Sequence, residues 1–82
     1  MELLLYSRYA CHLCEDMLDQ LREFSSELFF TITVQDIDDS PVLRRLYNEA
    51  VPVLMHNNVE ICRHFLDLAT LRKTIEAERC VR

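Results

Sequence analysis

Cys11-His12-Leu13-Cys14 follows a short apolar run, Leu3-Leu4-Leu5, and opens a segment whose apolar residues recur with helical spacing. Met17, Leu18, Leu21 and Leu28, with Phe24 close to the line, fall on one stripe of a helix, and stepping back three from Met17 puts Cys14 on that stripe. Cys14 is therefore expected to face the core. Cys11 lies one turn earlier, at or just before the first helical residue, where four backbone N–H groups lack a helical partner and the macrodipole is positive. That position stabilises a thiolate. A strand, a tight turn, one exposed cysteine at a helix N-terminus and a second cysteine behind it make the arrangement that thiol–disulfide exchange requires. The outer sulfur attacks and the inner one resolves the mixed disulfide.

The same spacing is also half of a zinc or iron–sulfur site, which needs a second ligand pair. Cys62, Cys80, His12, His56 and His64 are the candidates, but none has the paired spacing of a zinc ribbon or finger. A C-x-x-C beside a βαβ pattern favours redox chemistry over metal binding. Two inert core cysteines are a third reading, and it conflicts with the periodicity, which leaves Cys11 outside the buried stripe.

The 82 residues fit one domain, 1–82, with room for a single core. Half the residues are hydrophobic and 28% are charged, the balance of a folded soluble chain. A net charge of −5 argues against nucleic acid as a partner. Arg44-Arg45 fall on the solvent side of a helical phase. The apolar run before Ser7-Arg8 is too short and wrongly flanked for a signal peptide or a membrane span. The expectation is a cytoplasmic monomer, in a compartment that keeps surface cysteines reduced.

Leu3-Leu4-Leu5-Tyr6 is apolar at consecutive positions, as in a central strand covered on both faces. The helix from the cysteine motif to about Glu27 carries Glu15 and Asp16 in its first turn. Phe30, Ile32 and Val34 alternate with polar residues in what reads as an edge strand, parallel to the first in a βαβ unit. Ser40 as N-cap and Pro41 as first helical residue start a second helix. Leu43, Leu46, Tyr47 and Ala50 form its apolar stripe, and Asn48 is suited to a left-handed stop. The carboxylates of Asp36-Ile37-Asp38-Asp39 lack the spacing and the glycine of a calcium loop. Val51-Pro52-Val53-Leu54-Met55 reads as a third strand, Asn57-Asn58 as a two-residue turn, and Val59-Glu60-Ile61-Cys62 as the antiparallel return. That turn sets Leu54 opposite Ile61 and Val53 opposite Cys62. Asp67 caps a last helix with Leu68, Leu71 and Ile75 on one face, and the tail from Cys80 is expected to fray. The chain contains no glycine.

The order βαβαββα, with C-x-x-C after the first strand and Val-Pro opening the third, resembles the glutaredoxin branch of the thioredoxin fold. The likeness covers nearly the whole chain and is closest to the small glutaredoxin-like proteins of bacteria. Its anchors are Cys11-His12-Leu13-Cys14, Arg8, Asp36-Ile37-Asp38 and Val51-Pro52-Val53-Leu54. It implies an α/β fold with a four-stranded mixed sheet flanked by three helices. It further implies a cis Pro52 against the cysteine motif, Val51 pairing with a substrate strand, and Arg8 helping to hold the thiolate and glutathione's carboxylate. Two departures stand out. His12-Leu13 replaces the family's usual Pro-Tyr, and Cys62-Arg63, give or take one residue, replaces a Gly-Gly pair beside the glutathione site. Side chains there make glutathione a doubtful partner and leave the dithiol chemistry untouched.

The leading expectation is a thiol–disulfide oxidoreductase carrying electrons to protein disulfides, with Cys11 as nucleophile and Cys14 as resolving thiol, re-reduced by a thiol reductant. It requires no cofactor and no metal. His12 either adds positive charge beside Cys11 when protonated or is a bystander. Cys62 and Arg63 are expected near the substrate approach, with packing as the plainer role for Cys62. The alternatives are a metal or iron–sulfur carrier using Cys11 and Cys14, and a non-catalytic thioredoxin-fold interaction module.

Overall fold

The computed structural model describes residues 1–80, and the side chains of 1–79. Its elements are β1 (Glu2–Ser7), α1 (His12–Leu28), β2 (Thr31–Asp36), a 3-10 turn (Ile37–Asp39), α2 (Pro41–Tyr47), β3 (Val53–His56), β4 (Val59–Arg63) and α3 (Leu68–Cys80). The strands form one sheet in the order β2-β1-β3-β4. β1 pairs parallel with β2, from Glu2 opposite Thr31 to Ser7 opposite Asp36, and antiparallel with β3, Leu5 opposite Leu54. The mixed sheet with three helices is the expected α/β thioredoxin-like fold.

Alternation along β1 and β3 divides the interior in two. Leu3, Leu5 and Leu54 point to the face covered by α1 and α3, where they pack with Met17, Leu21, Leu71 and Ile75. Leu4, Tyr6, Val53 and Met55 point the other way, toward Tyr47 of α2 and Ala50. Tyr6 and Tyr47 stack with ring centroids 4.6 Å apart. β1 thus carries apolar residues on both faces because helices cover both. β2, at the edge, buries Phe30 before it and leaves Val34 46% exposed.

α1 ends one residue past its expected limit, at Leu28, and Phe29 adopts the left-handed conformation, φ 57°. With no glycine available, Ala10, Phe29, Asn57, Asn58 and His64 take positive φ. Asn57 and Asn58 make the expected primed turn. Ser40 caps α2 by accepting from the Leu43 N–H at 3.4 Å, and Asp67 caps α3 by accepting from the Thr70 N–H at 3.1 Å.

Four expectations are corrected. The hairpin holds the expected register at His56–Val59 and Met55–Glu60, then shifts at a bulge between Leu54 and Met55. Leu54 therefore faces Cys62, Val53 faces Arg63, and Ile61 is the extra residue. Asn48 stays right-handed at φ −49° instead of stopping α2 with a left-handed turn, and the N–H groups of Ala50 and Val51 both bond to the Tyr47 carbonyl. Leu46 is 62% exposed, because α2 is too short for a second buried turn. Finally, α3 extends through Cys80, and the expected fraying at Val81 and Arg82 lies outside the described residues.

Candidate redox site

β1 and β2 run toward one end of the sheet, where β3 begins and β4 ends. The loop after β1, the Val51-Pro52 peptide and the Arg63-His64 segment therefore meet there. Ala10, with φ 57°, turns the chain so that Cys11 becomes the N-cap of α1. The Cys14 N–H donates to Cys11 Sγ at 3.2 Å, so the sulfur occupies the capping position that an oxygen more often fills. Cys14 is 2% exposed, above Met17 and Leu21 on the buried stripe, while Cys11 is partly exposed. The two are joined as a disulfide, Cα to Cα 5.2 Å. Helical phase thus gives the pair one accessible and one covered sulfur, as the spacing implies. His12 is exposed as the first residue of α1, and Glu15 is in the first turn.

The Val51-Pro52 bond is cis and Pro52 is buried. The Pro52 carbonyl accepts from the His64 N–H at 2.8 Å, which ties β3 to the end of β4. The bulge makes Arg63 and His64, rather than Cys62, the neighbours of this peptide. His64, with φ 67°, holds the left-handed conformation that favours glycine. Cys62 lies in the Leu5–Leu54–Cys62 row and packs against the main core beneath α1 and α3. Burial pushes its thiol above the ordinary value; the Asp67 backbone N–H opposes this and the Asp67 and Glu60 carboxylates add to it.

Arg8 and Arg63, the two arginines expected at the site, are engaged with the chain itself. Arg8 forks onto Asp38 at 3.1 and 3.2 Å and also donates to the Asn48 side-chain and backbone carbonyls. It thereby binds the loop after β1 to the 3-10 turn and the end of α2. Arg63 forks onto Glu60 at 2.6 and 2.8 Å. This bonding holds the Glu60 carboxyl below its usual range and raises the Arg63 guanidinium. Asp67 is lowered in turn by the Thr70 hydroxyl and N–H. Asp38, Asn48 and Glu60 were not foreseen as partners; Asp38 was marked only as part of a strand end. Among the described residues, no group of three or more His, Cys, Asp or Glu side chains is placed to hold a metal ion, and no helix is long and apolar enough to cross a membrane.

This fold, with a disulfide at the N-terminus of its first helix, defines a thioredoxin-superfamily domain with a redox-type cysteine pair. The model of the glutaredoxin-like domain family (DUF836) matches residues 2–76, and the chain belongs to that family. It is similar to protein Ne2328 from Nitrosomonas europaea, known from a solution structure, with 39% identity over 89% of this chain and 88% of the other, TM-score 0.80. It is also similar to target protein XcR50 from X. campestris, with 31% identity over 92% and 96%, TM-score 0.66. Thioredoxin 1 from Thermosipho africanus shares the fold at 18% identity over 96% and 99%, TM-score 0.64. No curated protein matches the chain significantly.

Proposed function

We propose that the protein is a thiol–disulfide oxidoreductase that delivers two electrons to polypeptide disulfides. The observation that carries this reading is the asymmetry of the pair: Cys11 caps the helix and is reachable, whereas Cys14 is 2% exposed behind it. In the reduced protein, Cys11 reacts as a thiolate favoured by the N-terminal N–H groups of α1. It attacks one sulfur of the substrate disulfide. The S–S bond breaks, and the departing sulfur takes a proton from solvent. Cys14 then gives up its proton and attacks Cys11 Sγ, releasing the second substrate thiol and closing the Cys11–Cys14 disulfide. Substrate is reduced by two electrons and the protein oxidised by two, and an external dithiol reductant restores it by the same exchange in reverse.

Pro52 and Val51 serve as the floor against which the substrate strand lies, and Arg8 acts as a positioning residue through Asp38 and Asn48. Glutathione is a poor partner in this reading, because His64 and Arg63 put side chains where a small tripeptide needs close backbone approach. The working form is a monomer in a reducing compartment such as the cytosol, with no metal or other cofactor. Trapping tests the reading. Cys14→Ser, reduced and mixed with a cystine-containing polypeptide, should accumulate a covalent adduct through Cys11, and Cys11→Ser should not. An adduct formed equally by both variants, or by neither, defeats it.

A further inference from the structure

Which disulfides reach Cys11 depends on what surrounds it, and the following rests on the oxidoreductase reading above. Among the described residues, four of the seven exposed large apolar side chains lie in the segments that leave or join the strands at this end: Tyr9 (88% exposed) after β1, Val42 (57%) and Leu46 (62%) on α2 between β2 and β3, and Phe65 (70%) after β4. Tyr9 follows β1 and Phe65 follows β4, with β3 and Pro52 between them. Two strand spacings, roughly 10 Å, separate their starting points, about the width of one extended chain with its side chains. Val42 and Leu46 are four apart and share a face of α2.

The charges here are as uneven as the apolar groups. Glu15 is exposed in the first turn of α1 and Asp16 is exposed just after it, and Asp36, Asp38 and Asp39 cluster where β2 ends. The α3 N-terminus is filled by the chain's own Asp67 carboxylate, which accepts from the Thr70 N–H at 3.1 Å. Strand order brings Arg8 and Arg63 nearest to Val51-Pro52, yet Asp38 holds Arg8 at 3.1 Å and Glu60 holds Arg63 at 2.6 Å. A groove of about 410 Å³ beside Ala50 is lined by Arg45 and by the Glu60-held Arg63, with Leu46, Asn48 and the Glu49 carboxylate on the same lining.

We propose that Asp38 and Glu60 set the charge selectivity of the site. By holding Arg8 and Arg63 they leave a mouth that is apolar and acidic. It is matched to a polypeptide disulfide flanked by basic and apolar residues and mismatched to glutathione disulfide, whose carboxylates outnumber its ammonium groups. Charges at a rim act chiefly on the encounter rate, and salt screens them over about 10 Å at 0.1 M.

The test uses the reduced full-length protein in single-turnover mixing with four disulfides. Two are peptides of one apolar sequence with either Lys or Glu on both sides of the cystine; the third is glutathione disulfide and the fourth is neutral bis(2-hydroxyethyl) disulfide. At 20 mM salt the Lys peptide should react about tenfold faster than the Glu peptide, and the gap should close to about twofold at 500 mM. Glu60→Gln, which frees Arg63, should raise the rates of the Glu peptide and of glutathione disulfide about threefold relative to the neutral disulfide. A merely structural effect would move all four rates together. Equal Lys and Glu rates at low salt, with the neutral disulfide reduced, overturn the selectivity and leave the oxidoreductase reading standing. A faster Glu peptide also overturns it and makes the Arg45 groove the anion-accepting surface. No reaction with any of the four sinks both readings.

Discussion

Replacing Arg8 separates two roles for the residue, one acting on the thiolate and one holding the loop that carries it. In the structure its guanidinium is committed to Asp38 and Asn48, and both members of the ion pair are about one-third exposed, at 35% and 37%. An exposed pair of this kind contributes at most about 1 kcal/mol. The bonds to the Asn48 carbonyls add on the order of 0.5 to 1 kcal/mol after exchange with water. Arg8→Ala should therefore cost about 1 to 2 kcal/mol, and for a domain of this size that lowers the Tm by roughly 5 to 12 °C. Arg8→Lys keeps a charge near Asp38 but loses the fork, so it should recover about half of the loss. Thermal unfolding followed by circular dichroism gives the first number, and single-turnover reduction of a neutral disulfide well below the Tm gives the second. The reduction rate should fall less than about fivefold in Arg8→Ala, since no reacting atom loses a partner. A hundredfold loss of rate with an unchanged Tm would refute this assignment and return Arg8 to the thiolate.

Three further outcomes follow from the same geometry. In the reduced protein iodoacetamide should label Cys11 at least about tenfold faster than Cys14, because the inner sulfur is covered; mass mapping after timed quenching reads the ratio, and equal labelling would contradict the phase of α1. Leu54→Ala removes a fully buried side chain between Leu5 and Cys62, and should cost about 3 kcal/mol in urea unfolding; a loss under 1 kcal/mol would mean that the central row is not packed as described. Cys62 has its folded-state thiol raised above the ordinary 9.0, so its share of stability is complete below that value and fades as the pH climbs through the raised one; Cys62→Ala should flatten the decline in stability above pH 9, and an unchanged alkaline limb would show that the thiol is not buried.

Much of this architecture follows from local chemistry that can be read along the chain. Three consecutive leucines need cover on both sides of a strand. The 3.6-residue stripe puts Cys14 under Cys11. Ser40-Pro41 and Asp67 start helices because their side chains satisfy N–H groups that the helix leaves open. What escaped the sequence depends on contacts between distant segments. The bulge at Ile61 leaves no local signal, since Val59-Glu60-Ile61-Cys62 alternates equally well in either register, and it moved Cys62 one place away from Pro52. Leu46 looks like a core residue by spacing, but α2 is short enough that Tyr47 covers the sheet while Leu46 stays 62% exposed. Asn48 suits a left-handed stop by type, yet its side chain accepts from Arg8, forty positions away. The partners of Arg8 and Arg63 belong to the same class: a guanidinium's charge is plain from the sequence, and the carboxylate that holds it is not.

The cycling of Cys11 and Cys14 is tested most directly by counting thiols through one turnover. Reduced protein, freed of reductant, is mixed with an equal amount of a polypeptide holding one disulfide, quenched in acid, alkylated and weighed intact. The account predicts that the protein loses two alkylatable thiols as the polypeptide gains two, and that peptide mapping finds the new bond between Cys11 and Cys14 with Cys62 still a thiol. Protein that keeps all its thiols, or a bond that maps to Cys62, would contradict it.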